Sequence, residues 1–163
     1  MRDNDFGMPI TKLPDPAIDI VIVDVANTGR QTNPGGKSNM SLTDPITGTE
    51  RREIGGVQLD VAQAGSCRVK RLIYPAGFRW STHMKGIVGT DYCMHAHVGF
   101  LAQGQINVEY PDGCRLEFTA PQILAIEPGH EGWVVGDEPA VVIEFDFERD
   151  TIRKLGMPAE HGH

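Results

Sequence analysis

The stretch Gly89-Thr-Asp-Tyr-Cys-Met-His95-Ala-His97-Val-Gly-Phe-Leu-Ala-Gln-Gly104 decides how the rest of the chain is read. It is a glycine-bounded, alternating run. In a strand, successive side chains point to opposite faces, so His95 and His97 share one face. The same parity places Asp91 and Cys93 beside them. Four groups with metal-binding atoms on one strand face predict a site rather than a purely structural strand.

Outward from this run, the punctuation is that of many short strands. Val57 to Ala62 and Cys67 to Tyr74 read as strands flanking Ala64-Gly65-Ser66, and Phe78-Arg-Trp80-Ser-Thr-His83-Met reads as another. Gln105 to Tyr110 and Cys114 to Phe118 flank Pro111-Asp-Gly113, the strongest hairpin signal in the chain. Gln122 to Ile126, Glu131 to Val135 and Ala140 to Phe147 follow as strands. Glu148 to Leu155 reads as two helical turns stopped by Gly156 and Pro158. Upstream, residues 1–17 read as an extended arm, Ile18-Asp-Ile-Val-Ile-Val-Asp-Val-Ala26 as a β-branched strand, and Asn27 to Glu50 as a long polar segment. About ten short strands with almost no helical periodicity predict an all-β barrel or sandwich.

At 163 residues, with 40% hydrophobic and 23% charged residues, the chain suits a single soluble domain with its own core. A formal net charge of -7 argues against a nucleic-acid partner, which calls for a clustered basic surface. No apolar run is long enough to span a membrane. The N-terminus lacks the basic and apolar regions of a secretory leader. Three irregularly spaced cysteines do not make a disulfide framework. The expected compartment is therefore the cytoplasm.

The Gly89-x5-His95-x-His97 spacing resembles the opening of the first cupin motif, and Ile126-Glu-Pro-Gly-His130 resembles the turn of the second. Gly77-Phe-Arg-Trp-Ser-Thr-His83 and Pro128 to Pro139 are similar to small single-domain bacterial cupins. The resemblance covers roughly residues 66–147. It implies an antiparallel jelly-roll barrel over 56–150, preceded by an arm and polar segment over 1–55 that packs on a partner subunit in a homodimer. Residues 151–163 form the C-terminal tail with its short helix, and Ile18–Ala26 is the strand exchanged between subunits.

The sequence also departs from the motif. Where a glutamate is expected after His97, it has Leu101 and Ala102. Anchoring on Gly104 instead moves His97 into the glutamate slot and brings Asp91 and Cys93 near the histidine slots. In the second motif Gly132 stands where the histidine is expected, with His130 two residues earlier.

The resemblance implies a divalent transition metal (Fe, Mn, Ni or Zn) held by three histidines and a carboxylate, with positions left open for a small-molecule ligand. The ligand candidates are His95, His97 and His130, with His83 as a replacement fourth ligand and Asp91 and Glu131 as carboxylates. Trp80, Trp133, Cys93, Gln103 and Tyr92 are the pocket candidates, Cys93 favouring zinc if it is a thiolate. Two functions follow. One is metal-dependent chemistry of oxygenase or isomerase type. The other is metal-free binding or sensing of a small molecule.

Overall fold

The computed structural model describes residues 41–162. The arm, the strand read over Ile18–Ala26 and most of the polar segment lie outside the described residues. Nine strands run from Glu50 to Asp146: β1 Glu50–Ile54, β2 Val57–Ala64, β3 Cys67–Tyr74, β4 His97–Gln103, β5 Gln105–Glu109, β6 Arg115–Thr119, β7 Gln122–Ile126, β8 Glu131–Val135 and β9 Ala140–Asp146. All pairings are antiparallel. They build a six-stranded sheet in the order β1-β2-β3-β9-β4-β7 and a three-stranded sheet in the order β6-β5-β8. The fold is all-β, as the sequence predicts, with the two sheets distinct rather than one continuous closed barrel.

Alternation explains which face each strand buries. Leu101 on β4, Leu124 and Ile126 on β7, Val142 on β9 and Val108 on β5 are at most 4% exposed and form one core with Phe118 and Val134. Such burial contributes about 25 cal/mol for each Å² of apolar surface removed from water. The outer face of the large sheet is organised differently. Asp60 on β2 is clasped by Arg51 (Nε to Oδ1 2.8 Å) and by Arg71 (Nε to Oδ2 2.9 Å). Arg71 also donates to the carbonyls of Leu42 and Asp44, which ties residues 41–44 across that face.

Two local readings are corrected. Phe78 to Met84 is not a strand: α1 (Trp80–His83) follows an extended Arg79, and His83 N–H and Met84 N–H donate to the carbonyls of Arg79 and Trp80. A second turn, α2 (Lys85–Val88), ends at Gly89 with φ 81°, a left-handed value that favours glycine at a helix end. The histidine run is also a strand only from His97 onward. Before it the chain bends, so Asp91 leaves the shared face and pairs with Lys85 at 2.7 Å in solvent. At the other end, a 3-10 turn over Glu148–Asp150 leads into α3 (Thr151–Leu155), which stops at Gly156. No helix among the described residues is long and apolar enough to cross a membrane.

Candidate metal centre and cavity

Cys93 and His130 are brought together by backbone. Cys93 N–H donates to the His130 carbonyl at 2.8 Å, and Gly129 N–H donates to the Cys93 carbonyl at 2.8 Å, making an isolated antiparallel bridge. Residues directly opposite in such a bridge put their side chains on the same side. Gly129, with φ 91°, makes the turn that lets His130 enter β8 facing inward. His97 opens β4 two residues before Gly99, whose role is steric: a Cβ there would stand 2.0 Å from the Ile143 carbonyl oxygen. The close approach of β4 to β9 allows Glu144 to reach His97.

The result is a group of three donors, Cys93 Sγ, His97 and His130, all within 4.8 Å of one another. Cys93 Sγ lies 3.4 Å from His97 Nε2. Ligand atoms of a tetrahedral zinc stand roughly 3.5 Å apart, given Zn–S of about 2.3 Å and Zn–N of about 2.0–2.1 Å. Each imidazole is oriented through its far nitrogen: His97 Nδ1 contacts Glu144 Oε1 at 2.5 Å, and His130 Nδ1 donates to the Glu127 carbonyl at 2.6 Å. Fixing Nδ1 in this way leaves Nε2 available to an ion, the usual outer arrangement of metal-bound histidine. The donor set therefore fits a borderline or soft divalent ion better than a hard one.

Behind Glu144 the polar residues interlock. In the ladder of β3 with β9, Lys70 stands opposite Glu144 and Arg68 opposite Asp146. Lys70 Nζ is 3.1 Å from Glu144 Oε2 and 2.7 Å from Asp146 Oδ2, while Arg68 holds Asp146 through Nε at 2.7 Å. Glu144 Oε2 nevertheless has no partner at hydrogen-bonding angles among the described residues, so its link to Lys70 is an ion pair rather than an aligned bond. These charges set the protonation of the site. Burial pushes the Cys93 thiol up, but the His97 imidazolium and hydrogen bonds from both histidines outweigh it and hold the thiol at about 5. Burial pushes His97 down, whereas Glu144 and the Cys93 thiolate raise it to about 10. Glu144 is pushed up by burial and brought down to about 2, chiefly by His97 and then Lys70.

The other candidates fall in different places. His95 lines the same cavity, but its Nε2 sits 3.1 Å from Lys70 Nζ and 3.5 Å from Asp146 Oδ2, outside the donor group. His83 Nδ1 contacts the Arg79 carbonyl at 3.0 Å and its ring packs on Phe78, away from the donors. Glu131 accepts from Ser81 N–H and Gly132 N–H. Trp80, Trp133 and Cys93 line the cavity. Gln103 instead donates to the Pro139 carbonyl at 3.3 Å, and Tyr92 is 37% exposed. Glu144, Asp146 and Lys70 were not singled out from the sequence. Their signal was two acidic residues alternating within the apolar run Ala140 to Phe147, a charge pattern that needs partners inside a core strand.

The donors line a cavity of about 420 Å³, whose walls are mostly apolar and include Leu72, Phe78, Ile106, Leu124 and Val142. Small-molecule sites span about 300–1,000 Å³ with few, placed polar groups.

No protein-family model matches the sequence, and no curated protein matches it. Among solved structures, the chain is similar to an RmlC-like cupin from Shewanella frigidimarina at 17% identity, covering 60% of this chain and 82% of that one with a TM-score of 0.41. It is similar to KdgF from a Halomonas species at 16% identity, covering 59% and 83% with a TM-score of 0.41. A cupin-like protein from Thermotoga maritima is 12% identical over 58% of this chain and 71% of its own, with a TM-score of 0.43. In this chain the two antiparallel sheets, with the histidine strand β4 between β9 and β7, make an all-β fold.

Proposed function

We propose that Cys93, His97 and His130 hold one divalent transition metal on the wall of the apolar cavity, and that a small molecule binds there. The observation that carries this reading is the orientation of both histidines. Each has its Nδ1 committed to an oxygen, of Glu144 or of the Glu127 backbone, while His97 Nε2 lies 3.4 Å from Cys93 Sγ and the three donors lie within 4.8 Å of one another. When bound, the metal supplies a Lewis acid that polarises an oxygen of the ligand. The chain's own residues do the rest. Glu144 fixes the His97 ring, Glu127 fixes that of His130, and the apolar walls offer hydrocarbon contact to a ligand. Zinc suits the thiolate–imidazole set best, with iron and nickel next and manganese last. The free thiol suits a reducing compartment such as the cytoplasm.

The test is titration with Co(II), whose absorption reports both coordination number and thiolate ligation. The expected result is an intense visible spectrum with a thiolate charge-transfer band at one equivalent, the band disappearing in Cys93→Ser. A spectrum of hexaaquo cobalt alone would overturn the reading.

A second reading rests on a separate observation. Cys93, His97 and Glu144 stand in the order thiol, imidazole, carboxylate, with contacts of 3.4 and 2.5 Å. That is the nucleophile–base–orienting-group arrangement of covalent catalysis. Alkylation by iodoacetamide separates the two. A metal site predicts that Cys93 is protected in the loaded protein, and a nucleophile predicts rapid labelling that metal salts do not suppress. A protein that refuses metal yet still binds small apolar molecules would be a binding module without catalysis.

A further inference from the structure

The two imidazoles of the donor group are held in different ways. Glu144, which holds His97, is buried in the β3–β9 ladder and paired there with Lys70. His130 donates instead to a main-chain oxygen, the carbonyl of Glu127, on the turn between β7 and β8. A ligand held by a turn is only as well placed as the turn itself. Partners of this kind are second only to the ligands in setting how well a metal is bound. The placement of His130 therefore depends on what holds Glu127.

Two side chains do so, Tyr110 and His161. The hydroxyl of Tyr110, a residue only 2% exposed, accepts from Glu127 N–H at 3.0 Å and donates to the Glu127 carbonyl at 3.4 Å. Its ring meets two histidines, edge-on to His130 with centroids 6.0 Å apart and stacked on His161 at 3.7 Å and 11°. His161 Nδ1 donates to Glu127 Oε2 at 2.7 Å, and Asp112 Oδ2 lies 4.0 Å from its Nε2. The chain reaches this point from α3 through Pro158, Ala159 and Glu160, all exposed, whereas the His161 side chain is 15% exposed. The tail thus returns to the strands at the residue that grips the turn.

Resting on the metal reading above, we infer that His161 is a positioning residue for the metal ligand His130, acting through the Glu127 carboxylate. His161 belongs neither to the donor group nor to the cavity lining. Its effect reaches the metal only through Glu127, Tyr110 and His130. With the carboxylate gripped, the Glu127 backbone is fixed and the His130 ring is ordered before an ion arrives. Binding then costs less ordering, which is what preorganisation contributes to affinity.

The test measures zinc affinity by competition with a chromophoric chelator, and the Co(II) spectrum, in the full chain and its variants. Folding and Tm are followed by circular dichroism. His161→Ala is expected to weaken zinc binding about tenfold and to shift the Co(II) d–d bands, as loss of an outer partner does. His161→Asn, whose amide offers a donor where Nδ1 stands, is expected to restore most of the affinity. His161→Phe keeps a ring on Tyr110 but lacks the donor, and is expected to stay weak. Glu160→Ala, on the exposed part of the tail, is expected to match the parent. If His161→Ala does not fold, the comparison of His161→Asn with His161→Phe decides. A folded His161→Ala with parental affinity and spectrum, whatever its Tm, overturns this inference and leaves the metal reading standing. Recovery by His161→Phe rather than His161→Asn overturns the role given to the Glu127 bond. A parent that binds neither zinc nor cobalt overturns both readings.

Discussion

Cys93 and His97 hold opposite charges across 3.4 Å, and that pairing governs what the residues do before any ligand arrives. The sign is set by the balance already described. An ordinary thiol is protonated below about 8.5. Cys93, held at about 5, keeps its thiolate as pH falls from 9 through neutrality and takes up a proton only near 5. In metal-free protein, thiolate absorbance near 240 nm is therefore expected to show one transition near pH 5 that is missing from Cys93→Ser. Glu144→Gln removes the carboxylate that holds His97 charged, so it moves the Cys93 transition upward. A Cys93 transition at pH 8 to 9 in the parent would show that the thiol and imidazole do not share charge. At this scale the sequence was informative about residue type and silent about partners. His97, His130 and Cys93 were legible from spacing and parity. Glu144 and Lys70 were not, because their meeting depends on the β3–β9 register, which links residues far apart in the chain.

The elements show where local signals suffice and where they fail. The Asp112-Gly113 hairpin and the final β-branched strand were legible because turn chemistry and alternation agree there. The segment Phe78 to Met84 misled, since its aromatic and hydroxyl residues favour strands while the observed bonding closes a helical turn at Met84. The histidine run was half strand and half bend. Parity carried Cys93 inward correctly only because the bridge to His130 restores the extended geometry lost at Asp91. Gly99 sits at the centre of this arrangement. Gly99→Ala is expected to lower the Tm by about 5 °C or more, as overpacking against a backbone carbonyl costs at least about 1–3 kcal/mol. It should also weaken metal binding by separating His97 from Glu144. A variant with parental Tm by calorimetry would show that β4 does not press on β9 as described.

Across the whole molecule, the fold class was legible and the partners were not. The outer face of the large sheet exposes Ile123 (79%), Phe145 (47%) and Phe100 (39%) on adjoining strands β7, β4 and β9. Contiguous apolar surface of this kind marks interaction sites. The sequence places the expected homodimer contact on the arm and Ile18–Ala26, outside the described residues, and this exposed face is proposed as a further contact between two copies. Sedimentation equilibrium is expected to give twice the chain mass for the parent and the monomer mass for Ile123→Lys; a monomeric parent would remove the proposal. The inner face is what joins fold to function, because only the approach of the β4 end to β8 brings Cys93 opposite His130 beside His97.

The most direct measurement is the metal content of the untagged protein by elemental analysis, alongside Cys93→Ser and His97→Ala variants whose folding is checked by circular dichroism. The account predicts close to one equivalent of a transition metal, most readily zinc, in the parent after exposure to the ion, and little in either folded variant. A parent that stays metal-free under loading, or variants that retain the parental content, would contradict it.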